Sequence, residues 1–150
     1  MWQFKQFEEL SAKDYHQIAK ERTKVFVVEQ GSAYQEIDDI DLHAVHVIKR
    51  QKGVIKAYAR VYKENKKMHL GRVLVPAEFR SEGHGRELLK VALDYIICKH
   101  PKAEIEIQAE AYLKEFYESF GFKVTSDLYY DEEIGHYDME LSKEQTTVSP

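Results

Sequence analysis

Apolar and polar residues alternate along several short segments of the chain, and this two-residue period predicts β-strands. The first strand is predicted around Trp2 and Phe4, and the others cover residues 44–49, 54–62, 68–75, 104–109, 122–125 and 137–141. A period of three to four residues predicts helices after Ser11, over residues 83–100 and over residues 112–120. Several strands follow one another in the first half, whereas strands and helices alternate in the second. This order predicts a mixed α/β domain.

Residues at the ends of these segments support the predicted helix boundaries. Ser11 followed by Asp14 is typical of a helix N-terminal cap. Pro101 ends the long helix because proline cannot continue it, and Gly121 closes the short helix. Residues 30–41 are polar and acidic, which indicates a loop.

A glycine-rich turn joins one predicted strand to the long helix. Gly83 and Gly85 let the backbone approach a ligand closely, and the first N–H groups of a helix attract anions. Arg80 and Arg86 add a fixed positive charge on each side. The turn therefore suits a diphosphate, and a tight turn without a ligand is the alternative. The dinucleotide fingerprint does not fit, because Leu88 replaces its third glycine, and no Gly-Lys-Ser/Thr follows for a P-loop.

Composition limits the classes of protein that fit this chain. Its 150 residues suit one domain, and we expect this domain to span residues 1–141 with a polar tail at residues 142–150. The net charge of −4 argues against a nucleic-acid binder. Cys98 is the single cysteine, which excludes an intrachain disulfide, and we expect it to be buried. No apolar run reaches the length of a membrane span, so we expect a cytoplasmic protein without membrane or nucleic-acid partners.

Two motifs resemble those of the GNAT acetyltransferase superfamily. The first is Val75-Pro76 followed by RSEGHG at residues 80–85, which is similar to the acetyl-CoA motif, and the second is FYESFGF at residues 116–122. Residues 22–38 and 134–139 further resemble the ElaA-like branch of that superfamily. The resemblance implies a twisted, mixed, mostly antiparallel sheet of about six to seven strands flanked by about four helices.

The resemblance also implies an enzyme, an N-acetyltransferase. Acetyl-CoA would be the co-substrate, and the acetyl group would pass directly from the thioester to an amine of a small molecule or protein. In the family, the fourth strand binds the pantetheine arm and the glycine turn binds the pyrophosphate. The positions implied here are Val73, Leu74, Val75, Arg80, Ser81, Glu82, Gly83, His84, Gly85 and Arg86. No metal is expected, because His43 and His46 would point to opposite faces of a strand.

Acyl transfer to an amine needs a base for the amine and a proton donor for the leaving thiolate. Tyr117 matches the family's general-acid position by its offset from Gly121, and a packed aromatic ring is the alternative. Glu29 and His136 rank first as bases because they lie in the branch-specific motifs. A water chain would also serve, and the other candidates are Glu36, Asp38, Asp41, Glu110 and His46.

Three positions depart from the pattern of the ElaA-like branch. Ser32-Ala33 stands where a Cys-Pro pair is common, Ala109-Glu110 where Ala-Gln is common, and EIGH at residues 133–136 where Gly-Ile-Pro-His is common. These changes fall on the expected acceptor side. They motivate an alternative function, a GNAT-fold module that binds acyl-CoA with little or no turnover. A monomer or a homodimer fits either function.

Overall fold

The structure is a computed structural model, and it describes residues 1–142 of the chain. Eight strands form one sheet in the order β1-β2-β3-β4-β5-β8-β6, and β7 also pairs with β8. All of these pairs are antiparallel except β4–β5. The strands are β1 (Trp2–Gln6), β2 (Val45–Gln51), β3 (Val54–Glu64), β4 (Lys67–Leu74), β5 (Ile105–Glu110), β6 (Lys123–Val124), β7 (Tyr129–Asp131) and β8 (Ile134–Leu141).

Three α-helices flank the sheet in the described residues. They are α1 (Ala12–Arg22), α2 (His84–Lys99) and α3 (Lys114–Glu118). A π-helical segment, Thr23–Glu29, continues α1, and short 3₁₀ turns are found at Phe7–Glu9, Asp39–Leu42, Ala77–Phe79 and Ala111–Leu113. Within residues 1–142, no helix is long and apolar enough to cross a membrane.

The predicted mixed α/β class and mostly antiparallel sheet are confirmed. The counts differ, with eight strands instead of six to seven and three α-helices instead of about four. The strand that the pattern did not predict is β7, which has three residues and is too short to show an alternation. The predicted polar tail at residues 142–150 lies outside the described residues except for Ser142.

The N-terminal helix begins as its sequence predicts and then widens. Ser11 Oγ accepts a hydrogen bond from the Asp14 N–H at 3.0 Å, and the Asp14 carboxylate accepts one from the Ser11 N–H at 3.1 Å. Beyond Arg22 the chain continues as the π-helical segment, where the Gln30 N–H donates to the Val25 carbonyl at 3.2 Å. Such wide turns are frequent at functional sites. This one carries Glu29 to the edge of one of the two cavities described below.

Hydrophobic side chains cover both faces of the sheet. On one face, β2 and β3 pack against α2 through the buried residues Val47, Ala57, Ala59, Leu88, Leu89, Ala92 and Ile96. On the other face, α1 and the π-helical segment pack over β2 and β3 through Ile18, Val25, Phe26, Ile48, Ile55 and Tyr58. Cys98 is exposed near the end of α2, so the expectation of a buried thiol was wrong. Residues 98–100, at the end of α2 and just beyond it, are all exposed.

The two parallel strands at the centre of the sheet diverge. β4 and β5 pair at Met68–Ile105 and at His69–Glu106, and both strands continue beyond these pairs. The register of β3 and β4 shifts near Arg72, which has a φ of 50°. A bulge of this kind bends the strand that carries it. The bend and the short pairing leave a gap between the ends of β4 and β5.

Candidate active site

Two cavities meet at the gap between β4 and β5. The first, called the α2 cavity, has a volume of about 360 Å³ and is lined by residues 73–75, by Arg80 and by residues 83–85 beside the start of α2. The second, called the sheet-face cavity, has a volume of about 410 Å³ and lies over β3, β4, β5 and the β7–β8 turn. Five residues line both cavities: Phe26, Gln30, Val73, Glu110 and Tyr117.

Most of the residues proposed to bind acetyl-CoA lie around the α2 cavity. Its lining includes Val73, Leu74, Val75, Arg80, Ser81, Gly83, His84 and Gly85. Glu82 and Arg86 are outside this lining. The structure therefore places the end of β4, the expected site of the pantetheine arm, and the glycine turn, the expected site of the pyrophosphate, around one cavity.

The glycine turn leaves the start of α2 open. Gly83 is the N-terminal cap residue with a φ of 86°, a conformation that glycine adopts without strain, and it has no side chain to cap the helix. Ser81 also has a positive φ, of 66°. The uncapped N–H groups of the first turn and the helix dipole favour an anion at this position.

Arg80 is held in place by two different partners. Its Nε–H donates to the Val75 carbonyl at 2.9 Å, and its guanidinium binds both carboxylate oxygens of Glu29, with 3.0 Å between Nη2 and Oε1. Hydrogen bonding to Arg80 lowers the pKa of Glu29, although partial burial works in the opposite direction. Arg80 and Glu29 both line the α2 cavity, so the ion pair is at the position where an anionic ligand would meet Arg80.

Arg86 and His84 are fixed by contacts on either side of the turn. The Arg86 guanidinium lies 5.0 Å from the ring centre of Phe120 and donates to Ser119 Oγ at 3.2 Å. His84 Nδ1 lies 3.3 Å from Nζ of Lys49. The FYESFGF segment therefore positions one of the two arginines of the turn.

Tyr117 is the most buried of the three predicted catalytic residues. It lies on α3 with 5% of its surface exposed and packs edge-on against Phe122, with 6.0 Å between the ring centres. Burial raises the pKa of its hydroxyl, and the negative charge of Glu110 raises it further. The phenol therefore keeps its proton at neutral pH. Because Tyr117 lines both cavities, a proton donor is positioned where they meet.

His136 lies across from Glu110 in the pairing of β5 with β8. Its Nδ1 is 2.7 Å from the Ile134 carbonyl, so in the neutral ring Nδ1–H donates and Nε2 keeps the lone pair. The ring stacks on Tyr129 with 5.8 Å between centres. Glu110 itself accepts a hydrogen bond from Gln30 Nε2 at 2.7 Å. His136 lines the sheet-face cavity, which gives this cavity a potential base.

A family model described as acetyltransferase (GNAT) domain matches residues 9–143. The chain belongs to the GNAT acetyltransferase family. Protein ElaA of Escherichia coli is 33% identical over 143 residues, which cover 92% of this chain and 94% of ElaA. A UPF0039 protein of Schizosaccharomyces pombe is 37% identical over 141 residues, covering 92% of this chain and 94% of that protein. The resemblance to the ElaA-like branch is therefore confirmed.

Solved GNAT structures agree with this assignment. The crystal structure of E. coli ElaA has a TM-score of 0.89 at 33% identity and covers 93% of this chain and 98% of that one. The crystal structure of an acyl-CoA N-acyltransferase from Pseudomonas aeruginosa has a TM-score of 0.90 at 29% identity, covering 93% of this chain and 97% of that one. The fold of this GNAT chain thus extends over nearly all the described residues.

The predicted catalytic residues of this GNAT domain are not gathered at one point. Tyr117 and His136 both line the sheet-face cavity, whereas Glu29 lines only the α2 cavity. Ser32, Glu110 and His136, which lie in the three segments that depart from the branch pattern, also line the sheet-face cavity. Within residues 1–142, no group of three or more His, Cys, Asp or Glu side chains is arranged to hold a metal ion.

The other acidic candidates belong to a largely buried ionic network. Three arginines and three carboxylates form it: Arg22, Arg60, Arg72, Glu36, Asp38 and Asp41. Arg22 binds Glu36 at 2.8 Å and Asp41 at 2.7 Å. Because each carboxylate of the network already binds arginine, none of them is placed to accept a proton from a substrate.

Both ring nitrogens of His46 have hydrogen-bonding partners next to this network. The imidazole is fully buried, with Nδ1 2.6 Å from the Tyr58 hydroxyl and Nε2 3.0 Å from the Asp41 carbonyl. Burial lowers the pKa of His46. A structural role therefore accounts for this histidine.

Sequence reasoning missed the polar residues that connect the two cavities to the ionic network. Gln30 binds Glu110 in the gap, and the Tyr34 hydroxyl donates to Glu36 beside the sheet-face cavity. Arg72 links that cavity to the network through Glu36, with 2.7 Å between Nε and Oε2. Gln30 and Tyr34 lie within the branch-specific motif at residues 22–38, which was the one signal available for them, whereas no sequence signal indicated Arg72.

Proposed function

We propose that the protein is an N-acetyltransferase that moves an acetyl group from acetyl-CoA to an amine of a small molecule or a protein. One observation carries this proposal: Tyr117 lines both the α2 cavity and the sheet-face cavity. A proton donor at that junction reaches a donor in one cavity and an acceptor in the other, as direct transfer requires. We assign the activity to the domain of residues 1–141.

Features of the α2 cavity support its role as the site for the CoA thioester. The open start of α2 and the guanidinium of Arg80 suit a pyrophosphate. The edge of β4 beyond His69 is not paired with β5, so its backbone groups suit the amides of a pantetheine arm. We therefore propose residues 73–75 and 80–86 as the donor site. Acetyl-CoA, when bound, supplies the acetyl group as a reactive thioester.

We propose His136 as the base on the acceptor side. Its Nε2 carries the lone pair in the neutral ring, because Nδ1 is engaged by the Ile134 carbonyl. Glu29 is less suited to this role because its ion pair with Arg80 lowers its pKa and because it lines the α2 cavity. The proton would pass from the amine to His136 directly or through one water.

Tyr117 completes the proton balance of the reaction. The amine nitrogen forms a bond to the carbonyl carbon, the C–S bond breaks, and the thiolate sulfur takes the Tyr117 proton. The raised pKa of Tyr117 keeps that proton in place until negative charge develops on sulfur. The products are an N-acetylated amine and the CoA thiol, and solvent exchange restores the two protonation states.

A thermal-shift titration with acetyl-CoA, desulfo-CoA and NAD tests the donor site. A ligand that binds only the folded state raises the free energy of unfolding by about 2.7 kcal/mol at a hundredfold excess over Kd. We expect a shift with acetyl-CoA and none with NAD. The absence of a shift with both CoA ligands would overturn the proposal.

A thiol-release assay over a panel of amines tests turnover. We expect release that depends on the amine and falls in Tyr117→Phe. A clear acetyl-CoA shift without thiol release from any amine would instead identify a GNAT-fold module that binds acyl-CoA with little or no turnover.

We extend the proposal to a cytoplasmic location and to a monomer or homodimer. The single cysteine, Cys98, is exposed, which suits a reducing compartment. Cell fractionation tests the location, and sedimentation of the purified protein tests the oligomeric state. Recovery in a membrane or secreted fraction would contradict the proposed cytoplasmic location.

A further inference from the structure

The sheet-face cavity has many more acidic than basic side chains around it. Its lining includes five carboxylates: Glu64, Glu106, Glu110, Asp131 and Glu132. The two arginines of the lining are Arg60 and Arg72. Both are neutralised by carboxylates outside the lining, Arg60 by Asp38 and Asp41 and Arg72 by Glu36 and Asp38. Lys67, also outside the lining, has its Nζ 3.8 Å from Glu106 and offsets part of that charge. The net negative charge that the cavity presents to a ligand therefore comes mainly from the other four carboxylates.

The carboxylates are spread along the cavity. Glu106 and Glu110 are four residues apart on one face of β5, which separates them by about 13 Å along the strand. Glu110 is in the gap beside Tyr117, whereas Glu106 is at the far end, 3.8 Å from His69 Nδ1. Asp131, the last residue of β7, and Glu132, in the turn that follows, are exposed on the rim. A ligand that reaches Tyr117 thus has further negative charges along its length.

A buried hydroxyl in the same lining has no partner. Ser32 is 5% exposed, and its Oγ makes no hydrogen bond within the part of the chain that the structure describes. A buried polar group without a partner is costly unless a ligand or water satisfies it. Hydroxyl oxygens accept hydrogen bonds from ammonium groups. Ser32 therefore offers an acceptor to a polar ligand in this cavity.

We propose that the acceptor of this acetyltransferase is an aliphatic di- or polyamine. This inference rests on the proposed function. One amino group, in its neutral form, reacts beside Tyr117 and His136. It forms the amide bond and gives up one proton while the C–S bond breaks and the sulfur is protonated. The remaining ammonium groups bind the carboxylates farther along the cavity and are not changed.

Other amines match the cavity less well. A monoamine or an arylamine has no second ammonium group to bind the carboxylates farther along the cavity. The carboxylate of an amino acid is repelled by them. The volume of about 410 Å³ is within the range of small-molecule sites, which favours a free polyamine over a lysine of a folded protein.

Steady-state thiol release with acetyl-CoA tests the inference in the full chain. Hexylamine and 1,6-diaminohexane differ only in the second amino group. We expect the diamine to have a KM lower by about tenfold, and spermidine to behave like the diamine. We also expect the KM of the diamine to rise with NaCl, because partly exposed charges are screened.

Two variants and one control identify the carboxylates. Glu106→Gln and Glu132→Gln should each raise the KM for spermidine by about two- to fivefold and lower its advantage over hexylamine. Asp94→Asn removes an exposed carboxylate on α2, outside the cavity lining, and should leave both KM values unchanged. Calorimetric titration of spermidine without acetyl-CoA should show binding that weakens in the double variant E106Q/E132Q.

The outcomes separate this inference from the proposed function. Equal KM values for hexylamine and the diamine, or no calorimetric binding of spermidine, would overturn the polyamine inference. A lysine-containing peptide with a lower KM than spermidine would overturn it in favour of a protein acceptor. Failure of acetyl-CoA to bind would overturn the proposed function, and the calorimetric result would still decide whether the cavity binds polyamines.

Discussion

Arg80 binds Glu29 through two guanidinium nitrogens at the α2 cavity, where the proposed pyrophosphate site needs the same positive charge. The ion pair and the donor therefore compete for Arg80. We predict that Glu29→Gln lowers the Kd for acetyl-CoA by up to about fivefold. Glu29 competes with the ligand for Arg80, and the effect is small because an exposed ion pair is weak. Calorimetric titration measures the change. Glu78→Gln, at an exposed carboxylate in the preceding 3₁₀ turn, is the control, and an unchanged or higher Kd in Glu29→Gln would contradict the prediction.

Tyr117→Phe should separate chemistry from binding. The ring stays packed against Phe122, while the proton for the leaving sulfur is lost. We expect kcat to fall by about a hundredfold with little change in the Kd for acetyl-CoA or in thermal stability. Tyr130→Phe, at a tyrosine that is 71% exposed, serves as the control. A kcat near that of the unmodified protein would show that another group protonates the thiolate.

Comparison of His136→Gln with Glu29→Gln decides which residue is the base. We predict that kcat falls by about a hundredfold in the first variant and much less in the second, because only His136 lines the sheet-face cavity. His16→Gln, at an exposed position of α1, is the matched histidine control. The opposite order of kcat losses would transfer the role to Glu29. Acetyl-CoA binding should persist in His136→Gln, which excludes misfolding.

Asp41 is the most buried carboxylate of the ionic network. It accepts hydrogen bonds from Arg22 at 2.7 Å, from Arg60 at 2.8 Å and from the Tyr15 hydroxyl, with 1% of its surface exposed. We predict that Asp41→Asn lowers the free energy of unfolding by about 3–5 kcal/mol, because it leaves two buried arginines undercompensated. Urea titration measures this loss. Asp39→Asn, two residues away and exposed, should change stability by less than about 0.5 kcal/mol.

Stability should fall in two steps as the pH is lowered. Burial holds the pKa of His46 below its ordinary value. The contribution of His46 to the free energy of unfolding is therefore complete above about pH 6.5 and is lost as the pH falls below it. Burial works to raise the pKa values of Asp38 and Asp41, but hydrogen bonds from Arg60 to Asp38 and from Arg22 and Tyr15 to Asp41 outweigh it. Their contribution is complete above about pH 4 and is lost below it.

Urea unfolding from pH 8 to pH 3 measures both steps. We expect a slope of up to about 1.4 kcal/mol per pH unit below pH 6.5, which corresponds to one proton taken up on unfolding, and a steeper slope below about pH 4. Asp41→Asn should flatten the lower step and keep the upper one. A stability that stays constant between pH 7 and pH 5 would show that His46 is not held neutral.

Local signals predicted the elements that form the donor site. The long helix was predicted between Gly83 and Pro101 because a regular apolar period runs between two residues that mark its ends, and α2 spans His84–Lys99. The capping pair Ser11 and Asp14 was likewise confirmed. Strand β7 was not predicted because three residues carry no measurable period.

The pattern of apolar and polar residues could not predict contacts between segments that are far apart in the sequence. The partners Arg22 and Asp41 are 19 residues apart, and Arg72 and Glu36 are 36 apart, so no local spacing indicates these pairs. The acidic loop was consequently interpreted as a source of bases, whereas arginines from α1, β3 and β4 occupy its carboxylates. Tyr117 was found through its motif, but the meeting of two cavities at its side chain depends on how far β4 diverges from β5.

The short parallel pairing between β4 and β5 divides the sheet into two antiparallel blocks, β1–β4 and β5–β8. Within residues 1–142, the only ladder between these blocks is Met68–Ile105 and His69–Glu106. An extended ligand with amide groups that lies along the free edge of β4 takes the place of the missing rungs, as an added strand does. A ligand bound in this way would join the two blocks, and we expect the protein to resist unfolding more strongly when the site is occupied.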